Sequence, residues 1–210
     1  MSPRPRATRT LEREARRLGF VHVAGVDEVG RGCLAGPVVA AAVVLPPDLR
    51  VPGIADSKAL TADQREHLFD RITRAALVWH VASVDAAHID RINILRASLL
   101  AMRRAVEALL PLPGFVLVDG HLVIPDLLIP QRPVIGGDRR STAIAAASIL
   151  AKVTRDRWML EAHARDPRYG FDHHKGYGTP EHLRAVAEFG YSDLHRRSFR
   201  VPSLFDTIEP

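Results

Sequence analysis

Eight consecutive apolar residues, Val38-Val39-Ala40-Ala41-Ala42-Val43-Val44-Leu45, constrain this chain more than any other stretch. A strand with one wet face alternates apolar and polar side chains, so a run without alternation requires cover on both faces. The run is far too short to be a membrane helix, which needs roughly 18 apolar residues, and no other run reaches that length. Upstream, Val21–Val29 reads as a strand and the glycine-rich Gly30–Gly36 as a turn; Pro37–Leu45 is then the second strand. So short a link makes the pair an antiparallel hairpin.

The cover must come from the helical patterns downstream. Thr61 is placed to cap a helix over Ala62–Ala75, and Leu77–Val84 reads as a third strand. Asp85 or Asn93 caps a helical run ending near Leu110, where Pro111 and Pro113 break it. Phe115–Val118 is a short buried strand ending at Asp119-Gly120. Leu122–Pro130 stays unassigned, because Pro125 and Pro130 argue against a central strand. Val134-Ile135 reads as a last short strand. Ser141–Ala164 is the longest helical pattern, and its small first turns suit close packing on a sheet. A Gly-, His- and Tyr-rich loop (Asp166 to Pro180) and a helix over Glu181–Phe189 follow. This order predicts an α/β fold: a mixed sheet with helices on both faces and a small helical C-terminal portion. It divides the chain into a basic N-terminal arm (1–20, running into a short helix from Leu11 to Leu18), a core (21–165) and a C-terminal segment packed on the core (166–210).

The net charge of +5 decides little about partners, because it is concentrated. Residues 1–20 hold six arginines against Glu12 and Glu14, whereas the rest of the chain carries 23 basic and 22 acidic residues. A basic tail is commonly a solvated arm. Cys33 is the single cysteine, which precludes an internal disulfide and suits a reducing cytoplasm; no apolar segment behind Met1 resembles a secretory signal. Nothing in the pattern demands more than a monomer.

The residues with chemistry are acids at strand ends. Asp27-Glu28 closes the first strand and is followed by Gly30-Arg31-Gly32; Asp119 closes Phe115–Val118; Asp138 sits in Gly136-Gly137-Asp138, ahead of the longest helix. If the strand ending at Asp119 lies parallel beside the first, Asp27 and Asp119 meet at the carboxyl edge of the sheet, where open α/β sheets place ligands. Four carboxylates without a His/Cys cluster of zinc spacing are donors for a hard cation, Mg2+ or Mn2+. Sites of this kind often hold two ions, one activating water and one stabilising the leaving oxygen of a phosphodiester. The plainer reading of Asp27 or Asp119 alone is a turn-forming residue, but one turn does not need four acids. Gly30-Arg31-Gly32 reads either as a hairpin turn or as backbone bare enough to approach a sugar hydroxyl, with Arg31 near a phosphate. Lys152, Arg155, Arg157 and Lys175 read first as solvated charges, His173-His174 lack companion ligands, Tyr169 and Tyr177 are core or stacking residues, and Cys33 reads as a small buried side chain.

The ordered set of motifs resembles the ribonuclease HII family. The matching segments are Val26-Asp27-Glu28-Val29-Gly30-Arg31-Gly32, Gly36-Pro37-Val38-Val39-Ala40-Ala41-Ala42, Asp56-Ser57-Lys58, Asn93-Ile94, Ala101-Met102, Val118-Asp119-Gly120, Gly137-Asp138, Ile144 to Asp156, and Lys175-Gly176-Tyr177-Gly178-Thr179. The resemblance covers about residues 23–200 and implies a ribonuclease H-like fold. It implies that Asp27, Glu28, Asp119 and Asp138 bind metal and catalyse. It gives substrate contacts to Gly30, Arg31, Gly32, Lys58 and Tyr177, the loop sensing a ribose 2′-hydroxyl and the tyrosine packing on the neighbouring deoxyribose. The implied substrates are RNA/DNA hybrids and duplex DNA carrying single ribonucleotides, cut 5′ to the ribonucleotide to leave 3′-hydroxyl and 5′-phosphate ends. The N-terminal arginines match nothing in this pattern. Two other readings stand beside it: a hybrid-binding module without activity, and another nuclease of the same fold such as a junction resolvase.

Overall fold

The computed structural model describes residues 7–49, 52–54 and 60–199. Five strands form one sheet in the order β3-β2-β1-β4-β5. They are β1 (Val23–Val29), β2 (Val38–Val44), β3 (Val78–Val84), β4 (Phe115–Asp119) and β5 (Gln131–Val134). β1 pairs antiparallel with β2, and β2 with β3, as the short link between the first two predicts. β1 and β4 are parallel, as are β4 and β5.

The alternation missing from β2 is explained by what lies above and below it. Val38, Ala40, Ala42 and Val44 pack with Ala97, Ala101 and Ala105 of α4 (Ile94–Glu107). Val39, Ala41 and Val43 pack with Ala145, Ala146 and Ile149 of α5 (Thr142–Arg165). Helices therefore cover both faces, and every residue of β2 is buried. The small residues of α5 bring its backbone down onto β1. At Gly25 a Cβ atom would sit 2.3 Å from the carbonyl carbon of Ala143, so this crossing accepts only glycine.

Helix boundaries follow their caps. Thr61 and Gln64 form a reciprocal capping box at the start of α2 (Ala62–Ala75). Asp85 and Asn93 each cap a separate helix, α3 (Ala86–Ile92) and α4, where the sequence reading has one run. Asn93 adopts φ 68°, and this left-handed residue turns the chain between them. Leu122–Pro130 contains no helix or strand; the Gln131 side chain ties it down by bonding both the N–H and the carbonyl of buried Ile124. β5 starts three residues earlier than Val134, and Pro133 is accommodated because β5 is an edge strand. No helix among the described residues is long and apolar enough to cross a membrane.

Within the segment read as a basic arm, α1 (Thr10–Arg17) is packed on the core. Leu11 and Ala15 are buried with Leu117 and Ile144. Glu12 is buried as well: its Oε1 accepts from the Ser141 hydroxyl and the Ala143 N–H, each at 2.8 Å. A carboxylate is thus placed on unsatisfied N–H groups at the start of α5, where the helix dipole favours negative charge. The periodicity of 1–20 is too short, and its arginines too many, for this burial to show in the sequence. Glu12→Ala should lower stability by about 2 kcal/mol, since it strands a buried N–H and a hydroxyl; urea denaturation measures this.

Candidate active site

The parallel register pairs Val26 with Val118, so the next residues, Asp27 and Asp119, stand side by side at the carboxyl edge of the sheet. Asp138 arrives from the other direction, in a 3-10 turn (Gly137–Arg139) between β5 and α5. Asp119 fixes that turn, its Oδ1 accepting from the Gly137 N–H at 2.6 Å. Glu28 precedes the last residue of β1, and there its side chain reaches the same space. All four acids line one cavity of about 400 Å³, with Ser148 and Lys152 of α5, Arg65 of α2 and Tyr177.

The electrostatics of this cavity oppose four negative charges. Burial, then the charges of Asp119 and Glu28, push the Asp27 carboxyl well above the usual carboxylate range; Ser148 and the Glu28 N–H act in the other direction. Burial also raises Glu28, against the pull of Arg31, whose Nη1 lies 3.2 Å from its Oε1. The second oxygen, Oε2, is buried with no hydrogen-bond partner among the described residues. Among those residues, no group of three or more His, Cys, Asp or Glu side chains is already drawn together as a metal site. The donor set nonetheless fits a divalent cation: oxygens only, carboxylates that raise one another's proton affinity, and one buried oxygen lacking a partner.

Beside the acids, Gly30-Arg31-Gly32 forms a turn whose first residue is buried and whose next two are exposed. Gly30 has φ 93°, and a Cβ there would lie 2.4 Å from Nε of Arg155. Arg31 and Gly32 are exposed, and a Cβ on Gly32 would meet nothing within 4 Å. Tyr177 joins the same surface through an antiparallel bridge with Cys33, and its side chain is 42% exposed. Cys33 is buried with its thiol beside the Tyr177 hydroxyl. Lys58 lies outside the described residues.

Two arginines carry this surface from below. Arg155, read first as a solvated charge, is fully buried and donates to the carbonyls of Ala35, Pro37 and Lys175 at 2.9–3.0 Å. It continues, at four-residue spacing, the buried stripe of Ala147, Ala151 and Met159, and that spacing is the signal that reveals it. Arg196, not singled out by its sequence, is 1% exposed and donates to the carbonyls of Gly30, Arg31 and Gly36. Burial lowers its pKa to about 10, so it stays protonated at neutral pH.

Tyr177 is held by histidines. Nδ1 of His195 accepts from the Ser192 N–H (3.0 Å), which puts its proton on Nε2; that proton goes to Nε2 of His182 (3.0 Å), and Nδ1–H of His182 donates to the Tyr177 carbonyl (2.9 Å). His174 accepts from the Gly176 N–H and faces the Tyr169 carbonyl, so it is tied structurally rather than available to metal. Tyr169 is likewise core, stacked on Phe171. Burial lowers the pKa of all three histidines, His195 to about 4. Their folded pKa values lie below the unfolded value, so the stability they contribute is complete above pH 6.5 and is lost as pH falls towards 4. Each contributes at most about 1.4 kcal/mol per pH unit in that window. Thermal melts between pH 7 and 4.5 should show a falling Tm whose slope is smaller in His195→Asn; an unchanged slope would remove the neutral chain from the account.

Comparison with known proteins places this arrangement. The sequence profile of the family described as Ribonuclease HII matches residues 24–201. A ribonuclease HII of Geobacter sp. (strain M21) is 58% identical over 189 residues, spanning 90% of this chain and 82% of the relative. The crystal structure of ribonuclease H2 from Pyrococcus horikoshii OT3 superposes with a TM-score of 0.75 at 28% identity, covering 85% of this chain and 94% of that one. Bst-RNase HIII in complex with Mn2+ shares the fold at a TM-score of 0.67 and 21% identity, over 88% of this chain and 69% of that one. With a profile spanning the whole sheet and both covering helices, and relatives of this identity over most of its length, the chain belongs to the ribonuclease HII family.

Proposed function

We propose that this chain hydrolyses the RNA strand of RNA/DNA hybrids and also incises duplex DNA on the 5′ side of a single embedded ribonucleotide, leaving 3′-hydroxyl and 5′-phosphate ends. In the cell such an activity serves removal of misincorporated ribonucleotides and RNA primers. The observation that carries the reading is the opening of one four-carboxylate cavity beside the exposed Arg31 and Gly32 of the Gly30-Arg31-Gly32 turn. A reactive phosphodiester and its ribose then fit adjacent features of one surface.

Asp27, Glu28, Asp119 and Asp138 would hold divalent cations, Mg2+ or Mn2+. When bound, such ions supply Lewis acidity to the attacking water and to the leaving oxygen. The rest follows from the chain's own groups. Ser148 and the Glu28 N–H, both facing Asp27, fix its orientation. Asp119 is fixed by Gly137. The backbone of residues 30–32 approaches the sugar, because two of its three side chains are absent. Tyr177 offers a ring face to the neighbouring deoxyribose, and Lys152 and Arg65 place positive charge on the cavity wall where phosphates run. Lys58 is proposed as a further phosphate contact.

The test is a duplex carrying one ribonucleotide, incubated with protein with and without Mn2+ or Mg2+. A single cation-dependent nick 5′ to the ribonucleotide is expected, bearing a 3′-hydroxyl and a 5′-phosphate, so that a ligase reseals it without prior phosphorylation. Binding without a nick would support a recognition module, and equal cutting of an all-DNA junction would support a resolvase.

A further inference from the structure

The Gly30–Gly36 turn has one long internal bond, from the Cys33 N–H to the Gly30 carbonyl at 3.4 Å, and that bond leaves the Arg31 carbonyl untouched. Backbone bonds with Gly176, Leu194 and Arg196 hold its far half, and the carbonyls of Gly30 and Arg31 are held by the Arg196 side chain, more than 150 positions away. Nη2 of Arg196 donates to the Gly30 carbonyl at 2.7 Å and to Gly36 at 2.8 Å, Nη1 to the Arg31 carbonyl at 3.0 Å, and Nε to Gly36 at 3.0 Å. The guanidinium is buried, and its face lies 5.1 Å from the Phe199 ring. A planar fork of donors is rigid, so it fixes the peptide planes it contacts as well as their positions.

A trans peptide carries its C=O and N–H on opposite sides. Turning the Gly30 carbonyl inward to Arg196 therefore turns the Arg31 N–H outward, and turning the Arg31 carbonyl inward turns the Gly32 N–H outward. Residues 31 and 32 are the exposed part of the turn, beside the acid-lined cavity. Two backbone donors are aimed, by one buried side chain, at the place where a sugar hydroxyl would accept them.

We propose that Arg196 is the positioning residue for ribose discrimination: it aims the N–H groups of Arg31 and Gly32 at the 2′-hydroxyl without touching the substrate. This rests on the reading of the turn as ribose sensor. Arg155 packs against Gly30, but its hydrogen bonds go to the other end of the turn, at Ala35 and Pro37, and not to the carbonyls of residues 30 and 31. Loss of Arg196 should thus act on sugar selectivity, whereas a general loosening of the fold should weaken all binding alike.

The experiment compares equilibrium binding of a labelled duplex carrying one ribonucleotide with the same duplex in all-DNA form, with Ca2+ in place of Mn2+, for the wild-type protein, Arg196→Lys, and Arg196→Gly with and without added guanidinium ion. The wild type should prefer the ribonucleotide duplex. Both variants should lose at least tenfold of that preference while all-DNA affinity changes less than threefold, and guanidinium should restore the preference in Arg196→Gly. A wild type without preference would sink the ribose-sensor reading itself. A preferring wild type with equally preferring variants would overturn the role of Arg196 alone, as would parallel weakening on both duplexes. If neither variant folds, amide hydrogen exchange on the wild-type protein decides: protection of Arg31 and Gly32 by the ribonucleotide duplex but not by the all-DNA duplex is expected, and equal exchange contradicts the proposal.

Discussion

Asp27→Asn is expected to slow hydrolysis of a ribonucleotide-containing duplex by about a thousandfold or more, the loss of several kcal/mol of charge stabilisation, while the protein still folds. Asp119→Asn should behave alike. The neutral amide is nearly isosteric but lacks the charge on which cation binding depends. The same change should make the metal-free protein more stable. The folded Asp27 carboxyl has its pKa raised by burial and by Asp119 and Glu28, so it costs stability as pH rises through the folded value. At neutral pH without divalent ions, Asn at position 27 relieves that cost, and a rise in Tm of a few degrees is expected. Cleavage assays and melts in chelator measure the two effects on one sample. Falling activity with rising stability separates a cation-holding acid from a turn-forming one, because removing a turn former lowers both.

The second large effect concerns the fold. Gly25→Ala should destabilise by about 3 kcal/mol and Gly25→Val should prevent folding, since the added carbon meets the backbone of Ala143 and Ile144 rather than a movable side chain. A displaced α5 would also carry Ser148 and Lys152 away from the cavity they line. Urea titration of Gly25→Ala measures this, and a change within 0.5 kcal/mol, roughly the range of surface substitutions, would mean that α5 lies farther from β1 than described.

What the sequence shows depends on the kind of interaction. The two-sided cover of β2 is legible because a missing alternation has one structural cause. The meeting of Asp27 and Asp119 is legible conditionally: both end apolar strands, and a parallel register does the rest. The helix caps at Thr61, Asp85 and Asn93 are legible because capping is local, although Asn93 divides one helical run into two. Burial of Glu12 is hidden, since its partners at Ser141 and Ala143 lie about 130 residues away. Arg196 is hidden more deeply, because its partners are main-chain carbonyls, which every residue possesses and no side-chain pattern marks. His173-His174 lack companion ligands in the sequence, and what His174, His182 and His195 do instead is hidden for a related reason: they bond backbone groups and one another.

The claim under all of this is that acids from two strand ends and one turn act together on divalent cations at the sheet edge. Manganese titration, with free ion followed by electron paramagnetic resonance, tests it without reference to cleavage. The wild-type protein should take up Mn2+, and uptake should weaken at least tenfold in each of Asp27→Asn, Glu28→Gln and Asp119→Asn, with a loss also in Asp138→Asn. Manganese affinity unchanged in all four folded variants would contradict the account.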